Sequence, residues 1–255
     1  MFKAIRIFIL LVILLAVSVG TALTKARSTD WNNSLYVKIY PINADGSEVS
    51  ERYIEDLDQQ TFAGVEAFMQ REIERYGHTL DRPVRVTLGQ PITEQPPVVE
   101  DPGNVLHIML WSLRMRFWSS SVAGPQDSPA PDVRMFVRYH APADVFRLDN
   151  SVALQKGMVG VVNAYASRRH RGRNNVVIAH EFLHTLGASD KYDRGSGQPL
   201  FPDGVAEPDR EPLYPQRLAE IMGGRVALAN NDAVVPRNLK QVIVGPTTAT
   251  EIGLR

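Results

Sequence analysis

Runs of apolar and β-branched residues mark five candidate strands along the chain. The pattern is clearest between residues 105 and 118, where four large apolar side chains alternate with polar ones: Trp111, Leu113, Met115 and Phe117. A period of two is that of a strand with one buried face, so a sheet is expected to form much of the core. The predicted strands cover residues 35–40 (ending before Pro41), Val84–Leu88, 105–118, 133–139 and 157–166.

Helical spacing is found in two segments. The first predicts one long N-terminal helix that ends at Gly77, because its apolar positions recur three or four residues apart. The second helix is expected to begin after Asn174 or Asn175, since either can act as N-cap, and to end at Gly187. The apolar positions of the first segment are Ile54, Leu57, Thr61, Val65, Phe68, Met69, Ile73 and Tyr76.

The N-terminus resembles a targeting segment. Lys3 and Arg6 precede eighteen uncharged, mainly apolar residues, 7–24, and Lys25 and Arg27 follow them. Eighteen residues is long for the apolar part of a cleaved signal peptide and just long enough to span a bilayer, so a cleaved signal and a retained anchor are both open. Either alternative predicts export, to the periplasm or outside the cell, or membrane association through residues 7–24.

Composition restricts the rest of the chain. With 255 residues the chain is long enough for one substantial core, and we divide it into a leader (1–24), a linker (25–33) and a single domain (34–255). Lys plus Arg and Asp plus Glu number 28 each, and this balance argues against a dedicated nucleic-acid binder. The absence of cysteine excludes disulfides and thiolate metal sites, so any metal must be held by histidines and carboxylates.

The second helix carries the chemistry that the sequence reveals. Its centre reads His-Glu-x-x-His, with His180, Glu181 and His184. On a helix, residues four apart lie about 40° apart around the axis and roughly 6 Å along it, so the two imidazoles can bind one ion. Glu181 would lie beside that ion, where a carboxylate can take a proton from metal-bound water, its role in zinc peptidases that carry this motif.

Two histidines do not complete a catalytic zinc site, which usually has three protein ligands and one open position. Gly187 allows the chain to turn sharply after the helix. Asp190 is the first side chain beyond that turn that can bind a metal, and Asp193 is the alternative third ligand in the same loop.

The full pattern, His-Glu-x-x-His-x-x-Gly-x-x-Asp, resembles the extended zinc motif of the metzincin peptidases and is similar to its snapalysin-type variant, which ends in Asp. Metzincins also have a methionine turn beneath the zinc, and Met222, 38 residues after His184, is the candidate here. Many members have a tyrosine two residues after that methionine. This chain has Gly224 there, so a transition-state donor would be another group, such as Tyr192 or Tyr214.

The resemblance implies an α/β (α+β) fold. Its expected parts are a mixed twisted sheet, a long N-terminal helix, an active-site helix and an irregular C-terminal subdomain. It also implies an edge strand that lines the substrate cleft just before the active-site helix, the position of residues 157–166.

The sequence therefore favours an exported zinc-dependent endopeptidase that acts on peptides or proteins. Zinc held by His180, His184 and Asp190 would lower the pKa of its water to about 7, with Glu181 as general base. One alternative takes the third ligand from Glu220, as thermolysin-like enzymes do with a downstream helical Glu. The other is a non-catalytic envelope or surface binding module stabilised by zinc.

Overall fold

A five-stranded sheet organises the domain. The computed structural model describes residues 6, 12, 27–98, 104–124, 127–142, 148, 151–155 and 157–255. Its strands are β1 (Leu35–Asn43), β2 (Val84–Leu88), β3 (Val133–His140), β4 (Val152–Leu154) and β5 (Val159–Tyr165). They lie in the order β2-β1-β3-β5-β4, and only β4 is antiparallel to its neighbour. The predicted mixed α/β architecture is thus confirmed.

The first strand is longer than predicted, because it continues through Pro41 to Asn43. The carbonyls of Ile39 and Pro41 accept hydrogen bonds from Gly89 and Ile92, on the β2 side. The nitrogen of Pro41 faces that same side, beyond the end of β2, so its missing N–H costs no bond to β3.

The predicted long N-terminal helix is broken into two. Helix α1 spans Glu48–Glu55 and helix α2 spans Ala63–Arg75, with a 3-10 turn at Gln59–Phe62 between them. Asp58 causes the interruption: its carboxylate accepts from the backbone N–H and the hydroxyl of Thr61, at 2.9 and 2.8 Å. Such a capping box starts a new helical segment, and sequence periodicity alone did not reveal it.

The prediction of a strand at residues 105–118 is wrong, because helix α3 spans Val105–Ala123. Asn104 caps it by accepting from the N–H of Leu106 at 3.0 Å. The buried side chains recur every four residues and pack on Tyr40 and Phe136, on one face of the sheet. Leu and Met favour helices, and the apparent alternation arose because apolar residues lie on both sides of this helix. The buried side chains of α3 are Trp111, Met115, Ser119 and Ala123.

The helix that carries the His-Glu-x-x-His motif, α4, spans Arg171–Leu186 and packs on the opposite face of the sheet. It begins before Asn174 and Asn175, so the predicted N-caps are wrong. Asn174 instead bonds the backbone N–H and C=O of Tyr165 at 3.2 and 2.9 Å, and Asn175 donates to the carbonyl of Thr61. Both amides fix α4 to neighbouring elements.

Residues 157–166 do not form the edge strand that the family resemblance implies. Strand β5 lies inside the sheet, between β3 and β4, and β4 is the last strand in the order. The glycines in this segment reflect close packing: a Cβ on Gly160 would lie 2.6 Å from the sulfur of Met135.

Beyond Gly187 the chain is mostly loops joined by short strand pairs, β6 (Ala219–Glu220) with β9 (Val242–Ile243) and β7 (Val226–Ala229) with β8 (Asp232–Val234). The last helix, α5, spans Pro246–Glu251. Trp31, in the stretch that we treated as a linker, is buried and donates to the carbonyl of Ile252 at 2.8 Å. This hydrogen bond connects the segment before β1 to the end of α5.

The apolar segment 7–24 lies outside the described residues except for Val12. Within the part of the chain that the structure describes, no helix has both the length and the apolar character needed to cross a bilayer.

The helical form of α3 predicts unequal effects of two substitutions. A strand would bury Leu113 and Met115 on one face, whereas in α3 Leu113 is 50% exposed and Met115 only 1%. We expect Met115→Ala to lower the free energy of unfolding by about 2–5 kcal/mol, and Leu113→Ala to change it by less than about 0.5 kcal/mol. Urea denaturation of both variants measures this, and equal losses would contradict the helix.

Candidate metal centre

Helix α4 places His180 and His184 side by side. Their ring centroids are 4.7 Å apart with the rings nearly perpendicular, and the two Nε2 atoms lie 3.1 Å apart. Both side chains are largely buried. The four-residue spacing therefore brings the imidazoles together as the sequence predicts.

Backbone carbonyls orient both rings. Nδ1 of His180 lies 2.9 Å from the carbonyl oxygen of Ile221, and Nδ1 of His184 lies 2.7 Å from that of Ala188. A carbonyl only accepts, so each Nδ1 carries the ring proton and each neutral Nε2 presents a lone pair. Two lone pairs 3.1 Å apart repel one another unless a cation or a proton lies between them. A backbone carbonyl bonded to the other ring nitrogen is a usual outer-shell partner of metal-binding histidines.

A left-handed turn returns the chain to the histidines. Gly187 adopts φ 110°, which a residue with a Cβ rarely adopts, and its N–H bonds the carbonyls of Leu183 and His184. Three residues later, Oδ1 of Asp190 lies 3.0 Å from Nε2 of His184 and 3.4 Å from Nε2 of His180. The structure thus brings the predicted third ligand to the pair.

These three atoms, His180 Nε2, His184 Nε2 and Asp190 Oδ1, form what we call the donor triangle. Its sides are 3.0, 3.1 and 3.4 Å. Ligand atoms about 2.0–2.1 Å from a tetrahedral zinc ion lie about 3.3–3.4 Å from one another. The dimensions and the nitrogen and oxygen donors of the triangle therefore fit zinc, although the geometry alone does not distinguish zinc from another divalent transition metal.

Glu181 lies beside the triangle, with its carboxylate close to both histidines. Its carboxylate groups with His180 and His184 so that one ligand atom from each lies within 4.8 Å of the others. Its side chain is buried, and among the described residues Oε2 has no hydrogen-bond partner. Burial raises the pKa of Glu181, and the nearby histidines offset this only in part. A buried, unsatisfied carboxylate is costly, so one at this position indicates a functional role.

Asp190 and His180 favour opposite charges. Partial burial opposes ionisation of Asp190, but its contacts with His180 and His184 outweigh burial and hold its pKa well below the usual range. For His180, burial lowers the pKa, and Asp190 with Glu181 more than compensates, so the net shift is upward. A negative charge on Asp190 and a positive charge on His180 therefore stabilise one another.

The alternative ligands do not face the histidines. Asp193 is exposed and caps its own loop, accepting from the N–H and hydroxyl of Ser196 at 2.7 Å each. Glu220 is fully buried, and its carboxylate accepts from the N–H groups of Gly223 and Gly245 and from the hydroxyl of Thr248. These bonds give Glu220 a structural role in the turn that follows it.

That turn contains Met222 and contacts two residues of the site. Met222 is fully buried in the main core, and its carbonyl accepts from the N–H of Lys191 at 2.9 Å. The preceding residue, Ile221, provides the carbonyl that orients His180. The turn therefore contacts both His180 on α4 and Lys191, the residue after Asp190.

A second support for Asp190 was not found from the sequence. Glu251 accepts from the N–H and hydroxyl of Ser189, and from Lys191 Nζ at 2.7 Å. These are the residues on either side of Asp190, and Lys191 is buried. We call Ser189, Lys191 and Glu251 the Glu251 clamp. Glu251 is 60 residues from Lys191, and no spacing rule links them, so the sequence carried no signal for this pairing.

Of the two tyrosines considered as donors, Tyr192 lies near the site. Its ring centroid is 6.3 Å from that of His180. Burial, then the charges of Asp190 and Glu181, raise its pKa, so the hydroxyl keeps its proton. Tyr214 lies in the loop before β6.

The triangle predicts which carboxylate binds metal. We expect Asp190→Ala to lower zinc affinity by more than the roughly 10–100-fold typical of an outer-shell change, because it removes one of three ligands. Asp193→Ala is the matched control and is expected to bind zinc like the wild type. Competition with a chromophoric chelator measures both constants, and the reverse ranking would refute this assignment.

The Glu251 clamp predicts an indirect effect. Glu251→Ala leaves Lys191 buried without its carboxylate, so the loop holding Asp190 should loosen and zinc affinity should fall about 10–100-fold. Glu251→Gln retains an acceptor and should recover part of the loss. Thermal melting of the metal-free proteins separates positioning from general instability, and unchanged zinc affinity in Glu251→Ala would exclude the positioning role.

Comparison with known proteins does not assign a function to this site. No protein-family model and no curated protein matches the chain. Function is therefore inferred from the donor triangle, from Glu181 and from the residues that hold them.

Proposed function

We propose that this chain is a zinc-dependent endopeptidase that hydrolyses peptide bonds with Glu181 as general base. The observation that carries the proposal is the buried, unpartnered Oε2 of Glu181 next to three donor atoms at zinc-ligand spacing. A purely structural metal site has no need of a carboxylate that costs stability at this position.

In this mechanism the protein positions the groups and moves the proton. A zinc ion in the triangle would supply Lewis acidity that makes water more acidic and polarises a carbonyl. Glu181 accepts the proton of the attacking water and returns it to the leaving amine, and its raised pKa suits both steps. Protonated Tyr192 is the nearest candidate to donate a hydrogen bond to the developing oxyanion.

An extended peptide is the substrate class that the surroundings favour. Strand β4 is last in the sheet order, and Gln155, directly after it, packs against Gly187 at the end of α4. A peptide that adds to this edge would therefore pass close to the triangle. The donor triangle, the mixed sheet and the turn containing Met222 are the features that support extending the proposal to a snapalysin-type member of the metzincin family.

The cellular location of the protein is part of the same proposal. The uncharged run at 7–24, with cations on both sides, supports export as a secreted, periplasmic or anchored enzyme. The protein would then meet peptide or protein substrates outside the cytoplasm.

Substitution of Glu181 tests the mechanism. Glu181→Gln keeps the shape of the side chain but cannot accept the proton, so we expect zinc binding to remain and kcat on an unfolded protein substrate to fall about 100- to 10,000-fold. Glu211→Gln, which removes an exposed carboxylate, is the control and should retain activity.

Two outcomes would count against the proposal. Full activity of Glu181→Gln would exclude the general-base role. Zinc binding by the wild type without hydrolysis of any member of a broad peptide library would favour the non-catalytic binding module.

A further inference from the structure

Three arginines line a cavity at the start of helix α4. Arg169 lies in the 3-10 turn Arg168–His170, Arg173 lies in the first turn of α4, and Arg237 lies in the loop after β8. His170 is the fourth described residue that lines the cavity. The volume of about 580 Å³ lies within the roughly 300–1,000 Å³ of ligand pockets. We call this cavity the arginine pocket.

The positive charge of the pocket is not neutralised by the part of the chain that the structure describes. Arg168, which does not line the pocket, pairs with Asp56 at 3.1 Å, but no described carboxylate pairs with any of the three arginines. The pKa of His170 is lowered, first by burial and then by the charges of Arg173 and Arg169. An anion bound in the pocket would relieve this repulsion between cations.

A close approach of two segments builds the pocket. Gly172 is the second residue of α4, and a Cβ there would overlap the carbonyl oxygen of Arg237. The loop is also held by Gln241, whose side chain accepts from the N–H of Arg237 at 2.8 Å. A side chain at position 172 would push Arg237 away from Arg173. The backbone therefore holds like charges in one pocket, which costs free energy unless a ligand offsets it.

A second cavity adjoins the arginine pocket. It shares Arg173 and Arg237 with the pocket, so the two cavities form one groove. Arg217 adds a fourth arginine, and no Asp or Glu is found among the described residues that line either cavity. Such a lining suits an extended ligand that carries both acidic and apolar groups. The apolar lining residues are Val226, Leu228, Val234, Val235 and Pro236.

The groove and the candidate metal centre lie along the same side of α4. His180 and His184 follow Arg173 by seven and eleven residues, so each lies within about 20° of Arg173 around the helix axis, and His180 is about 10 Å further along it. The same C-terminal segment lies against both sites, because Ile221 orients His180 and Arg237 lines the pocket with Arg173. An extended peptide advances about 3.3 Å per residue, so about three residues cover this distance.

We propose that the arginine pocket binds an acidic side chain of the peptide substrate, about three residues from the bond that is cleaved. The carboxylate of a glutamate or aspartate accepts hydrogen bonds from the guanidinium groups, whose planar geometry matches it in a bidentate manner. The apolar part of the groove takes a neighbouring apolar side chain. This inference rests on the proposed peptidase function and adds a preference for acidic over neutral substrates.

Peptide binding measures the preference without turnover. The full chain carrying Glu181→Gln is loaded with zinc and mixed with two fluorescent peptides, which differ only in having Glu or Gln about three residues to either side of the centre. We expect the Glu peptide to bind about tenfold more tightly at low salt, and Arg173→Gln/Arg237→Gln to bind both peptides alike. Arg168→Gln, which removes a neighbouring cation already paired with Asp56, is the matched control and should keep the preference.

Equal binding of the two peptides before the arginines are changed, or a preference that survives in the double variant, would overturn the proposal. Displacement of the Glu peptide by inorganic phosphate at an equal concentration would also overturn it, in favour of a site for small anions. The variant Arg173→Glu/Arg237→Glu should instead prefer a peptide with Lys at the same positions. A misfolded protein does not show such a gain, so this variant separates loss of the pocket from loss of the fold.

Cleavage of a peptide library by the wild type separates this proposal from the proposed function. We expect Glu and Asp to be enriched about three residues from the cleaved bond, and the enrichment to disappear in Arg173→Gln/Arg237→Gln but not in Arg168→Gln. Cleavage without any acidic preference would overturn the role of the pocket alone. Absence of cleavage, with the Glu preference in binding intact, would refute the peptidase function alone.

Discussion

The arrangement of the site depends on where two imidazole protons are held. Carbonyl oxygens of Ile221 and Ala188 fix the proton of each ring on Nδ1, so both Nε2 lone pairs face one point. Without those bonds, either ring can present a proton or rotate away. Because one carbonyl comes from the Met222 turn and the other from the loop after α4, the histidines on one helix depend on segments far apart in sequence.

Several contacts in the C-terminal part hold Asp190, the proposed third ligand, in place. Gly187 reverses the chain, Ser189 and Lys191 are held by Glu251, and Glu220 stabilises the turn that contains Met222. A carboxylate on an unsupported loop would lose conformational entropy each time it bound a metal. The contacts around Asp190 reduce that loss.

Helix α3 shows why apolar periodicity predicts the wrong element when a helix has apolar residues on two faces. Its sequence satisfies a period of two as well as it satisfies a helix, because apolar residues fill both the sheet-facing side and the exposed side of the helix. Leu113 and Phe117 therefore resemble buried positions of a strand, although both are exposed in α3.

The sequence by itself determined the local features: the spacing of His180 and His184, the turn at Gly187 and the position of Asp190 beyond it. These follow from helix geometry and from the conformational freedom of glycine, which act over a few residues. The break between α1 and α2 is also local, because Asp58 accepts from Thr61 three residues later, but apolar periodicity does not show it. The edge position of β4, the exclusion of Glu220 as ligand and the Glu251 clamp were decided only by tertiary structure. Each depends on which distant segments pair with one another, and a single sequence does not record those pairings.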